Sequence, residues 1–233
     1  LMSEAMKRAY ANRSEYLGDP DFNDVPVQQL ISKQYAKDIA QTIDPNTATP
    51  SSMIKPGALA PYESTQTTHY SVVDQFGNAV AVTYTLNTNL GSGIVAEGTG
   101  ILLNNEMDDF SSKPGVPNVY GLIGGESNAI APKKRPLSSM SPTIVSKDGD
   151  VFVVTGSPGG SRIITTVLQI LLNTMEYDMN IAEASAAPRI HHQWLPDYIR
   201  VEKTVSPDTI NRLKEMGHEV KVEPVMGSTQ SIA

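Results

Sequence analysis

The chain has 233 residues, 39% of them hydrophobic and 18% charged, enough for one large core or two smaller ones. Eighteen Lys and Arg against 25 Asp and Glu leave a net charge of −7, the wrong sign for nucleic acid or an anionic membrane surface. The absence of cysteine excludes disulfides, thiolate metal sites and a cysteine nucleophile, and the longest apolar cluster, Ile163 to Leu172, falls short of the ~20 residues that cross a bilayer.

Residues 1–16 read as a short polar helix that starts without the charged, apolar and small-residue regions of a signal peptide. The far end, MGSTQSIA, has no closing element, so the expectation is a piece of a longer protein. Pro20 and Pro26 punctuate a turn. Val27, Leu30, Ile31, Tyr35 and Ile39 then recur at helical spacing and predict one amphipathic helix to about Ile43. Asp44 to Pro61, with Pro45, Pro50, Pro56, Pro61 and Gly57, reads as a linker. From Thr67 the pattern changes. TTHYSVVD and NAVAVTYTL alternate around Asp74–Asn78 and predict a hairpin. Gly91 to Glu126 is rich in Gly, Asn, Asp and Pro and reads mostly as loop. SPTIVSK and VFVVT make a second hairpin, and Gly159-Gly160 lead into a helix through Asn173, apolar nearly all round and hence buried between layers. A short helix near 181–187, a strand near 198–202, a helix capped by Ser206-Pro207 and stopped by Gly217, and a last strand in HEVKVE complete the chain. Hairpins with two or three helices predict an α+β layered fold.

Three chemical-looking patterns lose to plainer readings. Gly91-Ser-Gly93-Ile-Val-Ala96 matches a dinucleotide fingerprint, but Glu97-Gly98-Thr99-Gly100 follows where a helix is required. Thr155-Gly-Ser157-Pro-Gly lacks the first glycine of a nucleophile elbow and reads as a tight strand-to-helix turn. His191 and His192 are adjacent, so on a strand they face opposite ways and cannot chelate one ion together. Asn12-Arg13-Ser14 is a glycosylation triplet of the kind chance supplies.

The segment that carries chemistry is Gln66-Thr67-Thr68-His69. A long linker ends in a threonine that opens a strand. Cutting Gln66–Thr67 would give Thr67 both a hydroxyl nucleophile and a free α-amine, whose pKa of ~7.7–8.0 suits it to act as the hydroxyl's own base. Threonine can attack the preceding carbonyl, which would make the cut autocatalytic. His69 shares the face of Thr67 on a strand and invites the role of base; it reads as structural.

ESTQ-TTHYSV, GNAVAVTYTLN, LLNNEMDDF, KRPLSSMSPTIV, TGSPGGSRI and PRIHHQWLPD together resemble bacterial γ-glutamyltranspeptidases across essentially the whole chain. The resemblance implies an N-terminal-nucleophile hydrolase, with two stacked antiparallel sheets between helical layers, here incomplete. It implies that 1–66 is the C-terminal end of a large subunit and 67–233 most of a small, catalytic one. The remainder of the large subunit would be the partner in a heterodimer cut from one precursor. By the same resemblance Thr67 is the nucleophile, Thr85 its hydroxyl partner, and Gly159 and Gly160 the oxyanion hole. Asn87, Glu106 and Asp109 would hold the α-ammonium of a γ-glutamyl group, Ser138 and Ser139 its α-carboxylate, and Tyr120 would close a lid spanning 114–125. Some bacterial members carry glutamine where this chain has Glu106; either accepts from an ammonium. The family's arginine clamp for the α-carboxylate would lie outside this chain.

The implied activity is cleavage of glutathione and γ-glutamyl amides through a γ-glutamyl-threonine ester, passed to an amino acid, a dipeptide or water, in the periplasm or outside the cell. No metal or organic cofactor is implied, nor a nucleic-acid partner or membrane insertion of this chain. The alternatives are a related acylase of the same fold, acting on cephalosporins or on a capsule polymer, and an inert unprocessed fragment.

Overall fold

The computed structural model describes residues 1–54, 67–111 and 125–233. Gln66, the end of the expected linker, and the expected lid with Tyr120 lie outside the described residues. The chain forms two compact units, one from Leu1–Glu63, Met107–Ser138 and Ile190–Glu223, the other from Ser64–Glu106, Ser139–Arg189 and Pro224–Ala233. The first unit draws on sequence from both sides of residue 66.

In the first unit, α1 (Met2–Tyr16) turns inward not only Met6, Tyr10 and Ala11 but also Glu4, Lys7 and Arg8. Spacings of three and four residues put these charges on one face, where they pair. Lys7 Nζ lies 2.9 Å from one Glu4 oxygen and Arg8 Nη1 2.7 Å from the other. Lys7 also donates to the Thr49 carbonyl at 2.7 Å, and Arg8 donates to Thr42 Oγ1 and O at 2.8 Å. A helix that reads as polar thus buries a satisfied ionic network.

The single helix expected over 27–43 is two, α2 (Val27–Leu30) and α3 (Lys33–Gln41). Ser32 Oγ accepts from Tyr35 N at 3.1 Å and caps the second, ending the first. The linker expected from Asp44 is fixed over its described part. Ser51 Oγ donates to the Trp194 carbonyl at 2.5 Å, and Trp194 Nε1 returns donation to Ser51 O and Ile54 O at 3.0 and 3.2 Å. Proline and serine suggested freedom; a buried tryptophan removes it. A three-stranded sheet of β5 (Ile190–His191), β6 (Ile199–Glu202) and β7 (Val220–Glu223) carries one antiparallel and one parallel pairing. Between β6 and β7, α6 (Pro207–Glu215) starts where Ser206 Oγ accepts from Thr209 N at 3.2 Å. Tyr10 meets His191 edge-on at 5.7 Å, packing α1 on this sheet.

In the second unit, β1 (Thr68–Val73) and β2 (Ala79–Tyr84) pair in register from Thr68↔Tyr84 to Val73↔Ala79. Asp74 Oδ1 accepts the backbone N–H groups of Phe76 and Asn78, holding the turn, with Gly77 at φ +82°. The second hairpin, β3 (Thr143–Lys147) and β4 (Asp150–Thr155), bulges between Val145 and Ser146. β4 then passes through Gly159 and Gly160 into α4 (Arg162–Met175), followed by α5 (Ile181–Ala186) with a full capping box on Asn180 and Glu183. The core here is Val153, Val154, Ile163, Val167 and Ile170. α4 is less enclosed than expected, since Leu168 and Met175 reach solvent. The chain end runs beside β4, with Val154 and Ile232 exchanging both backbone hydrogen bonds and Gln230 N donating to Gly156 O.

Candidate active site

Thr67 stands one residue before β1 and is half-buried; Thr85 follows β2 directly. Because the hairpin register pairs Thr68 with Tyr84, the next residues outward face each other. The Thr67 hydroxyl donates to Thr85 Oγ1 at 3.2 Å, and the same oxygen accepts from Asn87 N at 2.9 Å. Thr85 therefore sits between a hydroxyl and a backbone amide as an acceptor for both. Asn87 is buried at φ +76°, a left-handed conformation that Asn adopts more readily than most side chains.

Two asparagines that the sequence reading passed over build the rest of this corner. Asn105 O accepts from Asn87 Nδ2 at 3.2 Å, and Asn105 Oδ1 accepts from both the amide and the hydroxyl of Thr88 at 3.2 Å. Asn105 N also donates to Leu86 O at 3.1 Å. This straps the loop after β2 to the 3-10 turn Glu106–Asp109, whose first amide donates to Asn104 Oδ1 at 3.0 Å. Glu106 Oε1 is buried and, among the described residues, meets no hydrogen-bond donor. A buried carboxylate oxygen without a donor is costly, and it suits a cation that arrives with a ligand. Asp109 shares the turn with Glu106, and its carbonyl accepts from Asn128 Nδ2 at 2.7 Å.

Gly159 (φ +137°) and Gly160 (φ +58°) occupy the turn ahead of α4, both in conformations that disfavour a side chain. Their carbonyls accept the Arg162 and Ile163 amides at 3.1 Å. Among the described residues no acceptor takes the N–H of either glycine, so two backbone donors stand ready at a helix start. Ser138 is exposed and Ser139 half-buried, in an extended stretch where Ser139 O accepts from Ser141 Oγ at 3.0 Å.

His69 is buried and does not bond Thr67. Ser71 Oγ spends its proton on Gln230 O at 2.7 Å, so it must accept from His69 Nε2 at 3.1 Å. That leaves Nδ1 to accept from Thr83 Oγ1 at 2.8 Å. Burial pushes its pKa below the usual histidine value, favouring this neutral form. The ring fills the space beside Gly156, where an added Cβ would lie 2.2 Å from Cε1. The remaining chemical-looking patterns resolve into structure. No helix follows Gly91–Ala96; instead Val95 and Leu102 bridge across a tight loop. His191 Nε2 pairs with Gln193 Oε1 at 2.8 Å, while His192 Nε2 lies 3.4 Å from Asp197. Asn12 lies within α1 and accepts from the Tyr35 hydroxyl at 3.1 Å.

The family model for gamma-glutamyltranspeptidase matches residues 1–233. The chain belongs to this family. It is 69% identical over 232 residues to a glutathione hydrolase proenzyme of Escherichia coli, covering all of this chain and 40% of that protein. A Pseudomonas relative of the same name is 56% identical over 217 residues, covering 93% and 38%. The chain thus spans about 40% of the length of the curated relatives it matches. An acivicin-inhibited gamma-glutamyltranspeptidase superposes with TM-score 0.69 at 60% identity, over 71% of this chain and 88% of that one. A cephalosporin acylase from Bacillus halodurans superposes with TM-score 0.79 at 27% identity, over 99% and 40%. The fold class is the α+β one of N-terminal-nucleophile hydrolases, as the sequence leads one to expect. Besides the two antiparallel hairpins, the chain contains a three-stranded sheet with one parallel pair.

Proposed function

We propose that the full-length protein carrying this chain is a γ-glutamyl transferase and hydrolase acting on glutathione and γ-glutamyl amides. The precursor cuts itself at Gln66–Thr67, leaving 1–66 as the end of a large subunit and 67–233 as most of a small one. The observation that carries this reading is the Thr67–Thr85 hydroxyl contact at 3.2 Å at the mouth of a hairpin. It is supported by the 69% identity to a glutathione hydrolase proenzyme, against 27% to the cephalosporin acylase.

The chemistry follows from the groups. After the cut, the Thr67 α-amine takes the proton of its own Oγ1 as that oxygen attacks the γ-carbonyl. The charge that develops on the carbonyl oxygen is taken by the Gly159 and Gly160 amides, a donation worth ~10²–10³ in rate per donor. The departing amine takes the proton from the Thr67 ammonium, leaving a γ-glutamyl ester on Oγ1. Water, an amino acid or a dipeptide then attacks the ester, gives up its proton to the same amine, and restores the hydroxyl. Asn87, Glu106 and Asp109 hold the substrate's α-ammonium and Ser138 and Ser139 its α-carboxylate. Tyr120 closes over the site, and the work is done in the periplasm or outside the cell.

The test is made on the full-length protein. Intact mass and N-terminal sequencing are expected to find two pieces, the second beginning at Thr67. Incubation with γ-glutamyl-p-nitroanilide is expected to add one γ-glutamyl mass to that piece, with ping-pong kinetics toward a dipeptide acceptor. Sequential kinetics with no trapped ester would overturn the mechanism. Turnover of a cephalosporin side-chain amide with none of glutathione would move the protein to the acylase branch.

A further inference from the structure

In the first unit the turn after α1 holds a buried carboxylate with a dedicated partner. Asp19 is 4% exposed, and both its oxygens are used by one residue 116 positions away. Oδ2 accepts from Arg135 N at 2.8 Å and from Arg135 Nε at 3.1 Å, and Oδ1 accepts from Arg135 Nη2 at 2.5 Å. Nη2 also reaches Asp21 Oδ2 at 2.6 Å. A forked guanidinium pair combined with a backbone bond fixes position and direction together, which a point charge would not do. The arginine side chain is 63% exposed, so what the contact secures is the course of the backbone at 135 rather than a buried charge.

The same turn takes hold of a second piece of chain. Asn23 Nδ2 donates to Ser127 O at 2.6 Å, and Ser127 Oγ donates to Glu15 O at 2.6 Å. Gly125 N donates to Ser14 O at 3.0 Å, and Gly18 approaches Ser127 O so closely that an added Cβ would lie 2.1 Å from it. Asn128, 5% exposed, joins the two pieces. Its Oδ1 accepts from Leu137 N at 3.0 Å, its Nδ2 donates to Asp109 O at 2.7 Å, and its carbonyl accepts from Ser111 N at 2.9 Å. Residues 14–23 are therefore a plate to which the approach to Ser138 is pinned, and Asn128 ties that approach to Asp109.

We propose that Asp19 and Arg135 are positioning residues that set the carboxylate-binding arm at Ser138 relative to the ammonium-binding turn at Asp109. The inference rests on the functional reading above, which gives those two positions the two charged ends of one α-amino acid. The ends of such a ligand sit at a fixed separation, so both arms must be held to within about 0.5 Å. Once Gln66–Thr67 is cut, Asp19 and Arg135 belong to different polypeptides. The large-subunit end then acts as a template for a binding arm carried by the small subunit.

The experiment uses the full-length enzyme with Asp19→Asn and Arg135→Lys, assayed on two anilides. One is γ-glutamyl-p-nitroanilide; the other is 4-aminobutyryl-p-nitroanilide, which keeps the amine and lacks the α-carboxylate. The expected result is a KM for the γ-glutamyl substrate raised about tenfold, with kcat within twofold and self-cleavage complete. On the decarboxylated substrate kcat/KM is expected to stay within twofold. A parallel fall on both substrates, or an unchanged KM, overturns the positioning role. Should Asp19→Asn fail to fold, Arg135→Lys decides alone. It keeps the charge and the backbone N–H and loses only the fork, so a KM equal to wild type overturns the proposal. Wild-type enzyme inactive on the γ-glutamyl anilide would instead sink the functional reading itself.

Discussion

Two polar clusters in this chain are built on opposite principles. Around Thr67 the partners are neutral: two hydroxyls, backbone amides, and the carboxamides of Asn87 and Asn105, joined at 2.9–3.2 Å. Around Lys7 they are charged, with Glu4, Arg8 and Asp197 within 2.7–3.5 Å and His192 and His218 nearby. The neutral cluster can present a nucleophile without fixing its proton, because hydroxyls donate and accept by rotation. The ionic cluster cannot lose Glu4 without stranding the buried Lys7 and Arg8. One can shift its protons by rotation and the other cannot.

Substitutions that cross these principles separate the two. Thr67→Ala in the full-length protein is expected to lose both self-cleavage and anilide turnover, by on the order of 10³ or more, while its unfolding midpoint stays near wild type. Thr67→Ser, which keeps the hydroxyl, is expected to retain both in part. Glu4→Ala inverts that pattern. It leaves Lys7 and Arg8 buried with their shared carboxylate gone, a loss of about 3–5 kcal/mol in denaturant unfolding, with kcat of the folded enzyme within twofold. Thr85→Val removes the acceptor of the Asn87 amide and of the nucleophile. A stranded donor costs about 1–3 kcal/mol, so cleavage monitored on gels is expected to slow roughly tenfold to a hundredfold.

The smallest effect is the pH response. Burial, then the Lys7 charge, pushes the His218 pKa down to about 4, and burial lowers His192 as well. Below the ordinary histidine value near 6.5 the unfolded chain takes up protons that the native state refuses. Stability is therefore intact above that pH and falls as pH drops from about 6.5 toward 4, by ~1.4 kcal/mol per pH unit from His218, with His192 acting in the same direction. Against the opposing effect of its partial burial, the nearby His192, the hydrogen bond from the Ser51 amide at 2.7 Å and the Lys7 charge hold Asp197 well below the usual carboxylate range, so it stays ionised throughout that window. His218→Asn is expected to flatten the slope of melting temperature against pH; an unchanged slope would assign the acid sensitivity elsewhere.

Local rules made much of the fold legible. Alternation and turn residues mark both hairpins, and Ser206-Pro207 with Gly217 brackets α6. Where local rules misled, a partner distant in sequence had the deciding role. Pro45 to Ile54 reads as slack chain until Trp194 arrives from 140 residues away. Residues 1–16 read as a polar helix until Thr42 and Thr49 close over Glu4 and Arg8. Ser32 was a missed cap inside an otherwise regular apolar stripe, a signal the sequence does contain. In the site, Thr67 stands out because a strand begins at it, whereas Glu106 and Asp109 are legible only through the family resemblance. Asn105 and Asn128 are invisible to such reasoning, since their contacts reach 18 and 19 residues across loops with no periodicity.

The imidazole of His69 lies in the volume that any side chain at position 156 would claim. The two positions are 87 residues apart, yet they share a single steric allowance. Evolution cannot vary them independently: an alanine at 156 is admissible only after residue 69 has shrunk, and a reversion at 69 is then blocked by the methyl group. A library randomised at both positions and selected for folded protein is expected to return glycine at 156 wherever His69 survives. The corner of the sheet nearest the nucleophile would then drift through sequence space only by paired steps.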